Sequence, residues 1–140
     1  MNDDFLVLLA EDDEAAANLI QMNLKRAGVK RIQWAKNGQE AVDFLKKHLI
    51  MEEAENVLFL LDIKMPVLDG FQTLRAVKGN ADMRKVPIIM LTTTDNPFEV
   101  EKCYALGCNF YIKKPVEYKQ FVKTIKSVVD FACLGILPEV

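Results

Sequence analysis

"VLFLLDIKMPVLDG", residues 57–70, decides how the rest of the chain is read. Its first five residues, Val57 to Leu61, are apolar without interruption, as in a strand buried on both faces. The run ends in a carboxylate, Asp62, and Pro66 and Gly70 then break the chain. A carboxylate at the edge of a core costs free energy unless something pairs with it. The rest of the sequence has to supply that partner.

Four more short apolar runs recur: "FLVLLA" 5–10, "RIQWA" 31–35, "VPIIML" 86–91 and "NFYIK" 109–113. The segments between them have helical spacing. Ala16, Ile20, Leu24 and Ala27 line one face of 14–27, with Gly28 as a natural cap. Ala41, Phe44 or Leu45 and His48 do so in 38–48, and Phe71, Leu74, Val77 and Lys78 in 70–79. In 96–107, Pro97 suits a first turn, Val100, Tyr104 and Leu106 carry the apolar side, and Gly107 ends the segment. Phe121, Ile125, Val128 and Ala132 form the stripe of 117–133. A βα unit repeated five times predicts a doubly wound α/β fold, a parallel sheet covered by helices on both faces. Such folds place their site at the carboxyl ends of the strands, where the strand order reverses.

The totals bound the function. The 140 residues make one ordinary domain, 51% hydrophobic and 27% charged, with a net charge of -2. That balance argues against a nucleic-acid binder, which usually carries a basic face. The start, "MNDDFLVLLAEDDE", lacks the basic region and cleavage site of a signal peptide. No apolar run approaches the roughly 18 to 20 residues of a membrane span. The expectation is a cytoplasmic protein with no membrane contact. Cys103, Cys108 and Cys133 are odd in number and lack CxxC spacing, and His48 is the single histidine. A zinc site or disulfide framework is therefore not expected. The thiols read as core or subsurface fillers, and His48 as a solvated or capping residue at a helix end.

The strand ends carry the chemistry. The first strand runs into Glu11, Asp12, Asp13 and Glu14, and the third into Asp62. The fourth runs into Thr92, Thr93 and Thr94, the fifth into Lys113, Lys114 and Pro115, and the second into a turn, "AKNG". Clustered oxygen ligands without histidine or cysteine suit a hard divalent ion such as Mg²⁺. A carboxylate can also act as a nucleophile and form an acyl phosphate. Mg²⁺, Lys114 and the Thr92 hydroxyl with backbone N–H groups would neutralise the phosphoryl oxygens. Each piece alone has a structural explanation, as a helix cap, a turn residue or a solvated loop. Their joint occurrence at the strand ends of one βα series favours a site.

In order and spacing, "VLLAEDDEAAANLI", "VLFLLDIKMPVLDG", "VPIIMLTTT" and "ALGCNFYIKKPV" resemble the receiver domain of two-component response regulators. The resemblance spans about residues 4–131 of a single domain 1–140, with an apolar tail at 132–140. It implies a flavodoxin-like three-layer (βα)5 sandwich with strand order 2-1-3-4-5. Asp62 would be the phospho-acceptor. Asp12 would ligate Mg²⁺ directly and Glu11 partly through water, with a contribution from Asp13 left open. Lys64 would offer its backbone carbonyl to the metal and hold its side chain near the pocket mouth. Thr92 would be the switch hydroxyl, Tyr111 the switch aromatic and Lys114 the family lysine, joined to Pro115 by a cis bond.

The implied partners are a sensor histidine kinase or histidine phosphotransfer protein and a downstream protein. No output domain is expected after the fifth helix. "TLRAVKGNADMRKVPIIMLTTT" and "ALGCNFYIKKPVEYKQFVKTI" further resemble stand-alone regulators associated with bacterial phytochrome kinases. The tail "VVDFACLGILPEV" would either dock on its own domain or make a contact with a partner. A homodimer would use that tail or the face of the fourth helix, fifth strand and fifth helix. Two other classes fit less well. A haloacid-dehalogenase-type phosphatase resembles D-x-D, but Lys64 stands where its second aspartate belongs. A degenerate, phosphorylation-independent receiver would not need so complete a pocket. Nucleotide-binding glycine motifs are absent.

Overall fold

The computed structural model describes residues 5–52 and 57–133. The elements run β1 (Leu6–Ala10), α1 (Glu14–Arg26), β2 (Arg31–Ala35), α2 (Gly38–Glu52), β3 (Val57–Leu61), α3 (Gly70–Lys78), β4 (Ile88–Thr92), α4 (Pro97–Ala105), β5 (Phe110–Lys113) and α5 (Tyr118–Cys133). All strand pairs are parallel, in the order β2-β1-β3-β4-β5. This is the doubly wound α/β fold that the sequence pattern predicts, in the flavodoxin-like form and strand order that the receiver resemblance implies.

The central strands are buried end to end, because side chains alternate between two cores. Leu6, Leu8, Phe59, Leu61, Ile88 and Met90 enter one core with Leu45, Leu74 and Val77. Val7, Leu9, Leu58, Leu60, Ile89 and Leu91 enter the other with Ile20, Leu24, Phe121 and Ile125. The edge strands β2 and β5 are only partly covered. Pairing of β1 with β3 sets Ala10 opposite Leu61, so Glu11 and Asp62 leave the sheet side by side.

Local details depart from the sequence pattern in three places. β4 starts later than its apolar run and includes Thr92, so that hydroxyl belongs to the strand. α2 continues to Glu52, because "HLIME" contains no breaker. His48 therefore lies inside the helix, not at its end. Its ring stacks on Phe44 at 5.3 Å, and its buried Nε2 has no hydrogen-bond partner. In α4 the fully buried residue is Cys103, with Val100 and Leu106 half-buried. Tyr104 stands one position, or about 100°, off that face and is 47% exposed. Cys103 and Cys108 are buried free thiols, and Cys133 is half-buried. Burial pushes the Cys103 and Cys108 thiols up to about 11 and about 12.

The loop after β3 is held tightly against α3. Gly70 N–H donates to the Ile63 carbonyl at 2.7 Å. A Cβ on Gly70 would lie 2.4 Å from the Asp62 carbonyl oxygen and 2.6 Å from Ile63 Cα. Asp69 caps α3 in a reciprocal box with Gln72. Val67, exposed in the same loop, has φ 69°, a left-handed conformation that disfavours a β-branched residue. Gly70→Ala is expected to lower stability by about 1–3 kcal/mol through overpacking. Val67→Gly should raise it by up to about 1 kcal/mol, since relieved strain outweighs added chain entropy. Urea unfolding midpoints check both, and a neutral Gly70→Ala would contradict the close approach.

Candidate functional site

Three strand ends build the site. Glu11, just past β1, is 2% exposed. Its backbone is anchored from β2, where its N–H donates to the Ala35 carbonyl at 3.1 Å and its carbonyl accepts from Trp34 Nε1–H at 2.8 Å. Asp62 N–H donates to the Ala10 carbonyl at 3.2 Å, which ties the end of β3 to β1. Asp62 Oδ1 accepts from Ile63 N–H at 2.8 Å. Glu11, Asp12 and Asp62 each present a carboxylate oxygen, and these oxygens lie within 4.8 Å of one another.

Lys114 supplies the cation. Its Nζ forms a close ion pair with Glu11 Oε1 and lies 3.7 Å from Asp62 Oδ2. Its own N–H donates to the Thr92 carbonyl at 2.6 Å, so the lysine and the buried threonine are fixed to each other through the backbone. Lys113 faces away and pairs with Asp95 at 3.3 Å on the surface. Strand alternation separates the two lysines. The peptide bond between Lys114 and Pro115 is trans, since no described residue has a cis bond. This corrects the expected cis isomer, and trans is the lower-energy form of an ordinary X–Pro bond.

Asp13 takes a different task from its neighbours. Its carboxylate accepts from Ala16 N–H at 3.3 Å as the cap of α1, and its N–H donates to Glu11 Oε2 at 3.2 Å. It does not join the acidic cluster. Lys64 is exposed two positions beyond Asp62. Tyr111 is half-buried, and its hydroxyl donates to the Thr94 carbonyl at 2.7 Å. Burial, reinforced by the surrounding thiol and acids, pushes its phenol up to about 12. Sequence pattern does not reveal the Trp34 anchor or the close approach of Gly70, because both are contacts between distant segments.

Three carboxylates face one ammonium, which leaves negative charge in excess. Burial raises the Glu11 carboxyl above its ordinary value. The Asp62 carboxylate adds to that rise, and Lys114 opposes it. An all-oxygen donor set with surplus negative charge fits a hard divalent cation such as Mg²⁺. Glu11, Asp12 and Asp62 are the residues that would hold it.

A parallel α/β sheet with acids, a threonine and a lysine at its carboxyl edge defines a receiver-type signalling fold. Residues 7–126 match the response regulator receiver domain family, and the chain belongs to it. That family works in two-component signalling, and phosphorylation and Mg²⁺ binding are typical of it. The chain is 30% identical to response regulator Rcp1 of Synechocystis over 128 residues, 90% of this chain and 87% of Rcp1. The Mn²⁺-bound form of Rcp1 superposes with a TM-score of 0.82 at 29% identity, covering 96% of this chain and 99% of that one. A receiver domain from Rhodospirillum rubrum is 36% identical with a TM-score of 0.86, covering 96% and 98%. The phosphorylated cyanobacterial phytochrome response regulator RcpA is 28% identical with a TM-score of 0.80, covering 90% and 91%. Family membership sets aside the phosphatase alternative. Among the described residues, no helix is long and apolar enough to cross a membrane.

A pH dependence follows from Glu11. In EDTA the unfolded chain loses this proton near the ordinary value of 4.5, while the folded chain holds it to higher pH. The fold then binds more protons than the unfolded chain, so this contribution to stability falls as pH rises through that window. Glu11→Gln should flatten the decline. Mg²⁺ favours the ionised cluster, so its stabilising effect should grow with pH across the same window. Thermal unfolding in EDTA and in MgCl₂ across a pH series checks this, and a Mg²⁺ effect that does not vary with pH would refute it.

Proposed function

We propose that the chain is a single receiver domain over residues 1–140 that accepts a phosphoryl group on Asp62 and switches a partner-binding surface. The observation that carries this reading is the placement of Lys114 Nζ between Glu11 and Asp62, beside an all-oxygen cluster. The donor is a cytoplasmic histidine kinase or histidine phosphotransfer protein. An Asp62 carboxylate oxygen forms the new P–O bond as the P–N bond of the donor phosphohistidine breaks, and the leaving imidazole takes up a proton. Lys114 and the Thr92 hydroxyl bind oxygens of the transferred group. Glu11, Asp12, Asp62 and the Lys64 backbone carbonyl would hold Mg²⁺, which would supply charge neutralisation. Beyond its own phosphorylation and slow dephosphorylation the domain catalyses nothing.

Thr92 and Tyr111 are the switch residues in this reading. Their hydrogen-bonded neighbours, Lys114 and Thr94, connect the pocket to α4 and β5. On the α4/β5/α5 side, exposed Phe110 and Phe131 pack edge to face at 5.2 Å. A groove of about 280 Å³ runs beside them, lined by Ile112, Lys123 and Val128 among others. These features support that face as the surface for a downstream protein or for a second copy. The apolar tail 134–140, the alternative contact, lies outside the described residues. Similarity to the cyanobacterial phytochrome response regulator RcpA supports a kinase of the phytochrome class.

Intact-mass spectrometry after incubation with acetyl phosphate tests the chemistry. One phosphoryl adduct is expected with Mg²⁺, none with EDTA and none for Asp62→Asn. Lys114→Ala should slow its formation roughly 100-fold, the scale for losing one charge-stabilising donor. An adduct that survives Asp62→Asn would overturn the assignment. Size-exclusion runs on both forms read the oligomeric state.

A further inference from the structure

Tyr111 is held at two points, and only its hydroxyl belongs to the switch described above. β5 is one of the two edge strands of the sheet. Lys114 N–H donates to Thr92 on β4. Strand N–H groups alternate in direction, so Ile112 and Phe110 also face β4, and Tyr111 N–H faces the open edge. An open-edge N–H invites water or another strand. Here it donates instead to the Tyr104 hydroxyl at 3.0 Å.

Tyr104 sits in the last turn of α4, next to the buried Cys103. Its ring therefore lies at the rim of the helix, where its oxygen reaches β5. The Tyr111 hydroxyl meanwhile donates to Thr94, in the loop that leads into α4. One residue of β5 is thus tied both to the last turn of α4 and to the loop that leads into that helix. The Lys113–Asp95 pair adds a third tie, but it is exposed and so contributes little.

We propose that Tyr104 is a positioning residue for Tyr111: its hydroxyl latches the end of α4 to the open edge of β5, and a shift of α4 must release it. This deepens the proposed function and rests on Tyr111 being the switch aromatic. A tyrosine that merely shielded the strand edge would protect the Tyr111 amide equally in both signalling states. A latch protects it in one state and releases it in the other.

Tyr104→Phe keeps the ring and removes the oxygen. Amide hydrogen exchange by NMR is compared for parent and variant, each before and after acetyl phosphate with Mg²⁺. Before phosphorylation the Tyr111 amide should exchange roughly three- to tenfold faster in the variant, the factor that loss of one neutral hydrogen bond supplies. The Ile112 amide should not change. In the parent, phosphorylation should alter Tyr111 exchange. In the variant most of that difference should vanish, at the same phosphoryl yield on Asp62. Unchanged Tyr111 exchange in the variant would overturn the latch, as would equal acceleration at Ile112. A phosphorylation-dependent difference that survives in full would reduce Tyr104 to an edge shield and overturn its positioning role. A parent that takes no phosphoryl group would sink the proposed function and the positioning role with it. The unmodified pair would still decide whether the Tyr104–Tyr111 bond exists.

Discussion

Lys114 reaches from the end of β5, past β4, to carboxylates at the ends of β1 and β3. Its side chain is 10% exposed and Glu11's is 3% exposed, so neither charge is solvated enough to stand alone. Removing one member of a buried pair costs about 3–5 kcal/mol, because the survivor keeps its desolvation penalty. The geometry of the carboxyl edge depends on this contact, since it joins strands that are not neighbours in the sheet. One ammonium does not balance three carboxylates, and the remaining charge makes the edge receptive to a cation.

Backbone contacts hold that arrangement more rigidly than side chains do. Lys114 N–H on the Thr92 carbonyl sets the lysine relative to β4. Asp62 N–H on the Ala10 carbonyl sets Asp62 relative to β1. Gly70 then lets α3 close over the Asp62 loop at a distance no Cβ tolerates. A buried strand can end in a carboxylate here because of these contacts. Asp62 has an N–H on one oxygen and an ammonium near the other.

The fold was legible in the sequence almost completely. Five apolar runs separated by helical spacing specify the sheet, because burial on both faces leaves no polar position inside β1 or β3 and only the terminal Thr92 in β4. The residues at the strand ends were legible as well, since an acid or lysine directly after such a run has no other place to go. Where periodicity failed, neighbouring positions competed. Tyr104 and Cys103 are both apolar enough for the inner face of α4, and only packing selects the cysteine. His48 looked terminal because the pattern faded there, yet helix propensity carried α2 four residues further.

The sequence by itself determined the element order, the two-faced core and which chemical groups reach the carboxyl edge. It did so because burial and periodicity act locally along the chain. The tertiary structure alone decided how those groups divide the work. It turned Asp13 to the α1 cap and left Glu11 and Asp12 in the cluster. It sent Lys113 to Asp95 and Lys114 into the pocket, and it set the Tyr104 hydroxyl on the open edge of β5. Apart from the local Asp13 cap, these choices depend on distances between segments far apart in the chain, and such distances exist only once the sheet has formed.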